Sequence, residues 1–260
     1  MEIIVLLKQV PSTESMIEIA GDGASIKTDG IKWVINPYDE LAVEEALRIR
    51  EAQGGSVTIV TVGREKAAEA VRTALAMGAD KGVLVSDPAL ENADGLATAK
   101  VLAHVLKEMP YDLIIAGHRA VDDDNYLVGA AVADKLGLPL INMVFKEEVA
   151  DGRITCHKTV DGGSVVVEAA LPVLFTTQRG LNEPRYASLP GIMKAKKKPL
   201  DTKTMADLGL SADDVGAAKV RVVALKTPPE RSGGKMIEGD TAADKAAALV
   251  KALHEEAKVI

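Results

Sequence analysis

The sequence predicts an α/β fold built on a parallel sheet, and three observations carry that reading. Short β-rich apolar runs alternate with longer amphipathic segments through the first two-thirds of the 260 residues, which is the pattern of βαβ units. Most of the runs, such as DLIIAGH (112–118), are apolar nearly throughout, as expected of strands covered on both faces. The segments between them carry readable helix ends.

In order, strands are expected at 3–10, 56–62, 82–86, 112–118 and 172–178. Before the second strand, Asn36 stands as a helix cap, Pro37 at the first helical position and Asp39 at the third, and Gly54–Gly55 stops the run. Leu41, Ala42, Ala46, Leu47 and Ile49 make its apolar face. The next helix ends at Gly78, and another runs from Asp94 to just before Pro110. A further helix is expected to start near Asn125. After Pro139 the pattern changes to the alternation of RITCHKTV, a DGG turn and SVVVEAAL, an antiparallel hairpin added to the sheet or lying beside it.

From 181 the βα rhythm is lost. Leu189 lies between Ser188 and Pro190, where neither regular helix nor central strand is easy. Lys194, Lys196, Lys197 and Lys198 follow, as a steering patch for acidic partners or as a solvated face. Residues 201–260, including the Gly/Pro/Lys-rich stretch TPPERSGGKMIEGD, hold too little apolar material for a core of their own. They read as an extended arm that needs another surface. The expected organisation is an α/β domain over 1–180, a distinct segment over 181–200 and the arm.

Composition narrows the functional classes. A hydrophobic content of 47%, a charged content of 27% and a formal net charge of -7 describe an ordinary soluble chain and argue against a surface that grips nucleic acid. No apolar run approaches the length of a membrane span, and the opening run lacks the flanks of a signal peptide; the expectation is a cytoplasmic protein, not membrane-embedded. Cys156 is the single cysteine, so no internal disulfide or cysteine-built metal site is expected. His104, His118, His157 and His254 are scattered without metal-ligand spacing. No nucleophile elbow, Gly-x-Gly-x-x-Gly or Walker motif occurs. With 3% aromatics, a flavin-stacking pocket made by this chain alone is unpromising.

Ligands of open parallel sheets collect at strand carboxyl ends where the strand order reverses. Four such places are legible: Lys8–Gln9, the cap segment Asn36–Asp39, Val62–Gly63, and the loop from Gly117 to Gly129. In that loop, free N–H groups at the following helix start suit a phosphate. Asp122, Asp123 and Asp124 would repel one, so they must cap the helix, hold ribose hydroxyls or face water; one cap and two solvated side chains is the simplest reading. Gly129 permits close approach of another backbone or a ligand.

INPYDELAVEEALRIRE, RTALAMGAD, AVDDDN and LNEPRYASLPGIMKAKKK occur in this order, and over roughly 2–210 the chain resembles the β subunit of electron-transfer flavoprotein. The resemblance implies a Rossmann-like, adenine nucleotide alpha hydrolase-like domain, with the arm packing on an α subunit that holds the redox FAD. It places structural AMP contacts on Leu6, on Asn36, Pro37, Tyr38 and Asp39, on Val62, and on Gly117, His118, Arg119, Ala120, Val121, Asp122, Asp123, Asp124, Asn125, Tyr126, Leu127 and Val128.

Members that bind AMP usually carry Gln-Thr where this chain has Leu127–Val128, so the hydroxyl expected at the phosphate is missing. AMP is the favoured ligand; a second FAD, as in electron-bifurcating members that oxidise NADH, is the alternative. Tyr38 either packs on the flavin or serves as a packing residue at the helix start. The resemblance also makes 181–200 a recognition loop, with Leu189 as an anchor on a dehydrogenase and Pro190, Ile192 and Met193 around it. The partners implied are the α subunit, an acyl-CoA or related dehydrogenase, and a membrane quinone reductase. A universal-stress-like nucleotide-binding protein is a further reading, but it has no need of 181–260.

Overall fold

The computed structural model describes residues 1–229 and 233–260; residues 230–232 of the expected arm lie outside the described residues. The chain divides into a unit of Met1–Ile17 with Ile26–Val223 and a smaller one of Glu18–Ser25 with Ala224–Ile260.

The larger unit is organised by a nine-stranded sheet. Its strands are β1 (Glu2–Leu6), β4 (Ser56–Val62), β5 (Lys81–Val85), β6 (Leu113–Gly117), β7 (Leu140–Ala150), β8 (Arg153–Val160), β9 (Gly163–Ala170), β10 (Val173–Thr177) and β11 (Leu200–Lys203). They lie in the order β11-β5-β4-β1-β6-β10-β7-β8-β9. The pairings from β11 to β7 are parallel, and those of β7 with β8 and β8 with β9 are antiparallel. A separate antiparallel pair joins β2 (Gln9–Pro11) and β3 (Trp33–Ile35).

Helices α1 (Pro37–Gln53) and α2 (Ala68–Met77) bury Ala42, Leu47, Val71 and Leu75 with Ile3, Val5 and Ile115 on one side of the sheet. Helices α3 (Gly95–Lys107) and α4 (Val128–Leu136) bury Leu102, Leu106 and Val132 with Ile4, Val60 and Ile114 on the other. The alternation of Ile3, Ile4 and Val5 between the two cores is the period-2 geometry of a doubly covered strand.

Several expectations are corrected. The run 3–10 is broken: Leu7 N–H still bonds Val60 O, but Lys8 N–H turns to the Asp39 carboxylate, and Gln9–Pro11 leave to pair with β3. Of the two placements expected for the hairpin, the one added to the sheet is found, joined through β7. That strand escapes a simple alternation rule because its register shifts between Val144 and Lys146 and Met143 has φ 58°. The stretch from 200 begins not as free arm but as β11, parallel to β5, and Met205 and Val215 farther on, the latter in the short helix α6 (Ala212–Val215), are buried.

Leu189 and Pro190 open a helix, α5 (Leu189–Ala195), rather than interrupting one. Proline is tolerated there because a first-turn N–H has no helical acceptor. Ser188 caps it by accepting from Gly191 N–H at 3.1 Å.

In the smaller unit, Leu225 N–H bonds Gly23 O. Helix α7 (Ala242–Lys251) has a capping box of Thr241 and Asp244 and no buried residue.

Candidate functional site

Helices on opposite faces follow the strands on either side of β1, so the strand order reverses there and the carboxyl ends of β1, β4 and β6 diverge around a cavity of about 290 Å³. Asp39 ties two of these ends together. Its buried carboxylate accepts from Lys8 N–H at 2.7 Å and Gly117 N–H at 3.0 Å, clasping β1 to β6. Burial pushes this carboxyl up to about 7, against the pull of those N–H groups. Gly117 is required by the same clasp: a Cβ there would lie 2.3 Å from Asp39 Oδ1 and 2.8 Å from Tyr38 Cβ.

Asn36 precedes α1 but makes no side-chain cap. Its amide donates to Arg119 O at 2.8 Å and accepts from Val121 N–H at 3.2 Å, which fixes the loop after β6. The three aspartates of that loop do not cap α4 either, since α4 begins at Val128 with no side-chain cap, three residues later than expected. Cations hold them instead. Lys8 Nζ reaches Asp122 at 2.8 Å and Asp123 at 3.2 Å, and Arg119 pairs with Asp124 at 2.9 Å. Asp124 and Tyr126 adopt φ of 48° and 57° to allow this. The first-turn N–H groups of α4 are thereby left for another acceptor.

His118 is buried, with Nδ1 2.8 Å from Thr177 O. A carbonyl only accepts, so Nδ1 carries the proton, and burial pushes the ring towards the neutral form. Tyr38 packs edge-on against this imidazole, receives a hydrogen bond from Arg119 at 2.8 Å and lies under the Arg119 and Arg179 guanidinium groups. At 3% exposure it is enclosed at the start of α1.

Of the residues singled out from sequence, Leu6, Asn36, Asp39, Val62, Gly117, His118, Arg119, Ala120, Asp123, Asn125 and Val128 line the cavity. Pro37, Tyr38, Val121, Asp122, Asp124, Tyr126 and Leu127 support it from behind or stand outside it. Unforeseen are Leu90, Glu91 and Ala93 with Gly95, Thr98 and Leu102 of α3, which form a further wall. They follow the carboxyl end of β5, and the cap Asp94, which accepts from Ala97 N–H, was their signal. Gly129 lines the cavity too, but its missing side chain serves close packing, since a Cβ would lie 3.2 Å from Thr176 Cγ2.

The floor is apolar, with Leu6, Val60, Val62, Leu102 and Ala116, and suits a heterocycle; the rim is polar. Among the described residues, Thr98 is the one lining hydroxyl, and the lining cations Lys8 and Arg119 are each already paired with carboxylates. Among the described residues, no group of three or more His, Cys, Asp and Glu could hold a metal ion, and no helix is long and apolar enough to cross a membrane. Cys156 is buried, and burial pushes its thiol up to about 12.

Helix α5 does not line this cavity and carries exposed apolar side chains. Leu189 is 81% exposed, and Ile192, Met193 and Pro190 are exposed beside it. Of the four lysines, Lys194, Lys196 and Lys197 meet solvent, but Lys198 donates to Leu75 O, Gly78 O and Ala79 O at the end of α2. It is a helix cap rather than part of a solvated patch.

Residues 24–208 match the family described as the electron transfer flavoprotein domain. The chain is 41% identical to the electron transfer flavoprotein subunit beta of Bacillus subtilis, with all of both chains covered. It is 39% identical to the protein of the same name from Bradyrhizobium diazoefficiens, again over all of both chains. It is 37% identical to the caffeyl-CoA reductase–Etf complex subunit CarD of Acetobacterium woodii, covering 98% of this chain and 99% of that one. With these matches added to a mostly parallel α/β sheet and its cleft, the chain belongs to the electron transfer flavoprotein family, among its β subunits.

Proposed function

We propose that this chain pairs with an α subunit that holds FAD, keeps AMP as a structural ligand in its own cleft, and carries electrons from an acyl-CoA or related dehydrogenase towards a membrane quinone reductase. The observation that carries the AMP assignment is the cleft: about 290 Å³ at the strand-order reversal, with an apolar floor and the start of α4 at its edge. That volume suits a mononucleotide. FAD contains a whole AMP unit and a riboflavin phosphate besides, and would have to extend well beyond it. In this reading Leu6 and Val62 pack the base, Asn36, Asp39 and Gly117 hold the cleft's shape, and Val128 and Gly129 bring backbone N–H groups towards the phosphate.

FAD, when bound in the complex, supplies the redox chemistry. This chain's contribution is to seal the nucleotide side and, through Leu189, Pro190, Ile192 and Met193, to meet the dehydrogenase.

A specific observation favours a second reading, in which a second FAD replaces AMP and NADH is oxidised. Val128 offers no hydroxyl, both lining cations are engaged by carboxylates, and one relative is named as part of a caffeyl-CoA reductase–Etf complex. Co-expression with the α subunit and acid extraction decide between the two. One FAD and one AMP per heterodimer are expected; two FAD and no AMP, with NADH oxidation, would establish the second reading instead.

A further inference from the structure

The segment that carries Leu189 is attached to the α/β unit at both ends. On one side Asn182 donates to Leu41 O at 3.0 Å and to Glu45 at 2.6 Å. Beside it Arg185 spreads a fork over two turns of α1: Nε and Nη2 on Glu44 at 2.8 and 3.0 Å, Nη1 and Nη2 on Glu51 at 2.5 and 3.1 Å, with its backbone N–H also on Glu44 at 3.1 Å. Glu44 is buried, so this is more than a surface pair.

On the other side α5 lies against α2. Gly191 sits where a Cβ would be 2.5 Å from Ala76 O, and Arg72 donates to Ala195 O and Lys198 O at 2.6 and 2.7 Å. Lys198 then reaches the carbonyls that end α2. Between these attachments Leu189, Ile192 and Met193 are exposed. A large apolar side chain held out to solvent on a doubly fastened segment has given up its freedom before any partner arrives.

We infer that Arg185 is a positioning residue for docking: its fork on Glu44 and Glu51 pre-organises the segment so that Leu189 meets the electron donor in one fixed orientation. A charged group that fastens a loop in its bound conformation adds affinity by removing the ordering cost of association. Lysine substitutes only in part, because a single ammonium does not span two carboxylates about two turns apart as a planar guanidinium does. The inference rests on the docking role proposed for Leu189.

The test is a double-mutant cycle of Arg185→Ala and Leu189→Ala in the FAD-loaded α/β complex. Reduction is followed by flavin absorbance with the acyl-CoA dehydrogenase that reduces the parent complex. Arg185→Ala is expected to raise the KM for the complex about tenfold, with kcat kept within about twofold. In the Leu189→Ala background it should add less than about twofold, because the side chain it positions is gone. Arg185→Lys should restore part of the KM and no more. Effects that multiply across the cycle, or an Arg185→Ala loss confined to kcat, would overturn the inference while leaving the docking role standing. A Leu189→Ala complex reduced at the parent rate would remove the docking role itself. If Arg185→Ala does not assemble with the α subunit, Arg185→Lys and Glu51→Gln carry the same cycle.

Discussion

Two excursions from the strand ends, the 117–127 loop and the 182–198 segment, are both polar and rich in charge, yet they are built in opposite senses. In the first, charges pair among themselves: Lys8 with Asp122 and Asp123, Arg119 with Asp124. That leaves a concave space with an apolar floor. In the second, Arg185 and Lys198 reach inward to α1 and α2 while Arg72 of α2 reaches out to the segment's carbonyls, and the apolar side chains are left outside. Where the fixed charges point decides whether a loop becomes a receptacle or a projection. The same residue types, counted without their partners, say nothing about which.

The sharpest way to break the first half of this contrast is Gly117→Ala. The new methyl would meet Asp39 and Tyr38 well inside contact distance, some of it backbone. We expect a loss of about 3 kcal/mol or more, seen as a lowered melting temperature and absence of extractable nucleotide.

Asp39→Asn is gentler, leaving one of two clasped N–H groups facing an amide NH2, at about 2 kcal/mol. It also carries a pH signature. Asp39 has a raised value when folded, about 7 against 3.8, so the folded chain binds its proton more tightly than the unfolded one. The stability this supplies is complete below 3.8 and is lost as pH rises through about 7. Urea titrations should therefore show a larger deficit for Asp39→Asn at pH 5 than at pH 8. A deficit that grows with pH would mean that the folded chain prefers the ionised carboxylate.

The smallest effect on stability belongs to the projection. Leu189→Ala, at 81% exposure, is expected to change unfolding free energy by less than about 0.5 kcal/mol while slowing reduction by the dehydrogenase. A large loss of stability would show that Leu189 is packed rather than presented.

Much of the frame was legible in the order of residues. The buried strands β4, β5, β6 and β10 are continuous apolar runs, and the ends of α1, α2 and α3 are marked by Pro37, Gly78 and Asp94. The strand ends at Val62 and Gly117 followed from the parallel pattern, whereas Leu6 came only with the family resemblance, since the first strand reads on to residue 10.

What was hidden depended on distant partners. Asn36 looks like a cap and is instead a brace for Arg119 and Val121, 83 and 85 residues away. Asp122, Asp123 and Asp124 read as one cap and two solvated side chains and are all counterions. Tyr38 looks available and is enclosed by His118 and Arg119. β11, with the sequence LDTK, has no apolar signature, because an edge strand four residues long draws its stability from the ladder of its neighbour.

That last strand has a consequence for how the protein is made. Everything from Met1 to Lys198 can leave the ribosome while β5 still has one side of its backbone unpaired, since its outer partner is Leu200–Lys203. A parallel strand rich in valine with an open ladder is a template for other nascent chains. The Arg72 and Lys198 contacts that seat α5 on α2 also deliver the chain to that edge one residue later. The segment that holds Leu189 out to solvent is therefore the same one that covers this edge of the sheet against its own copies.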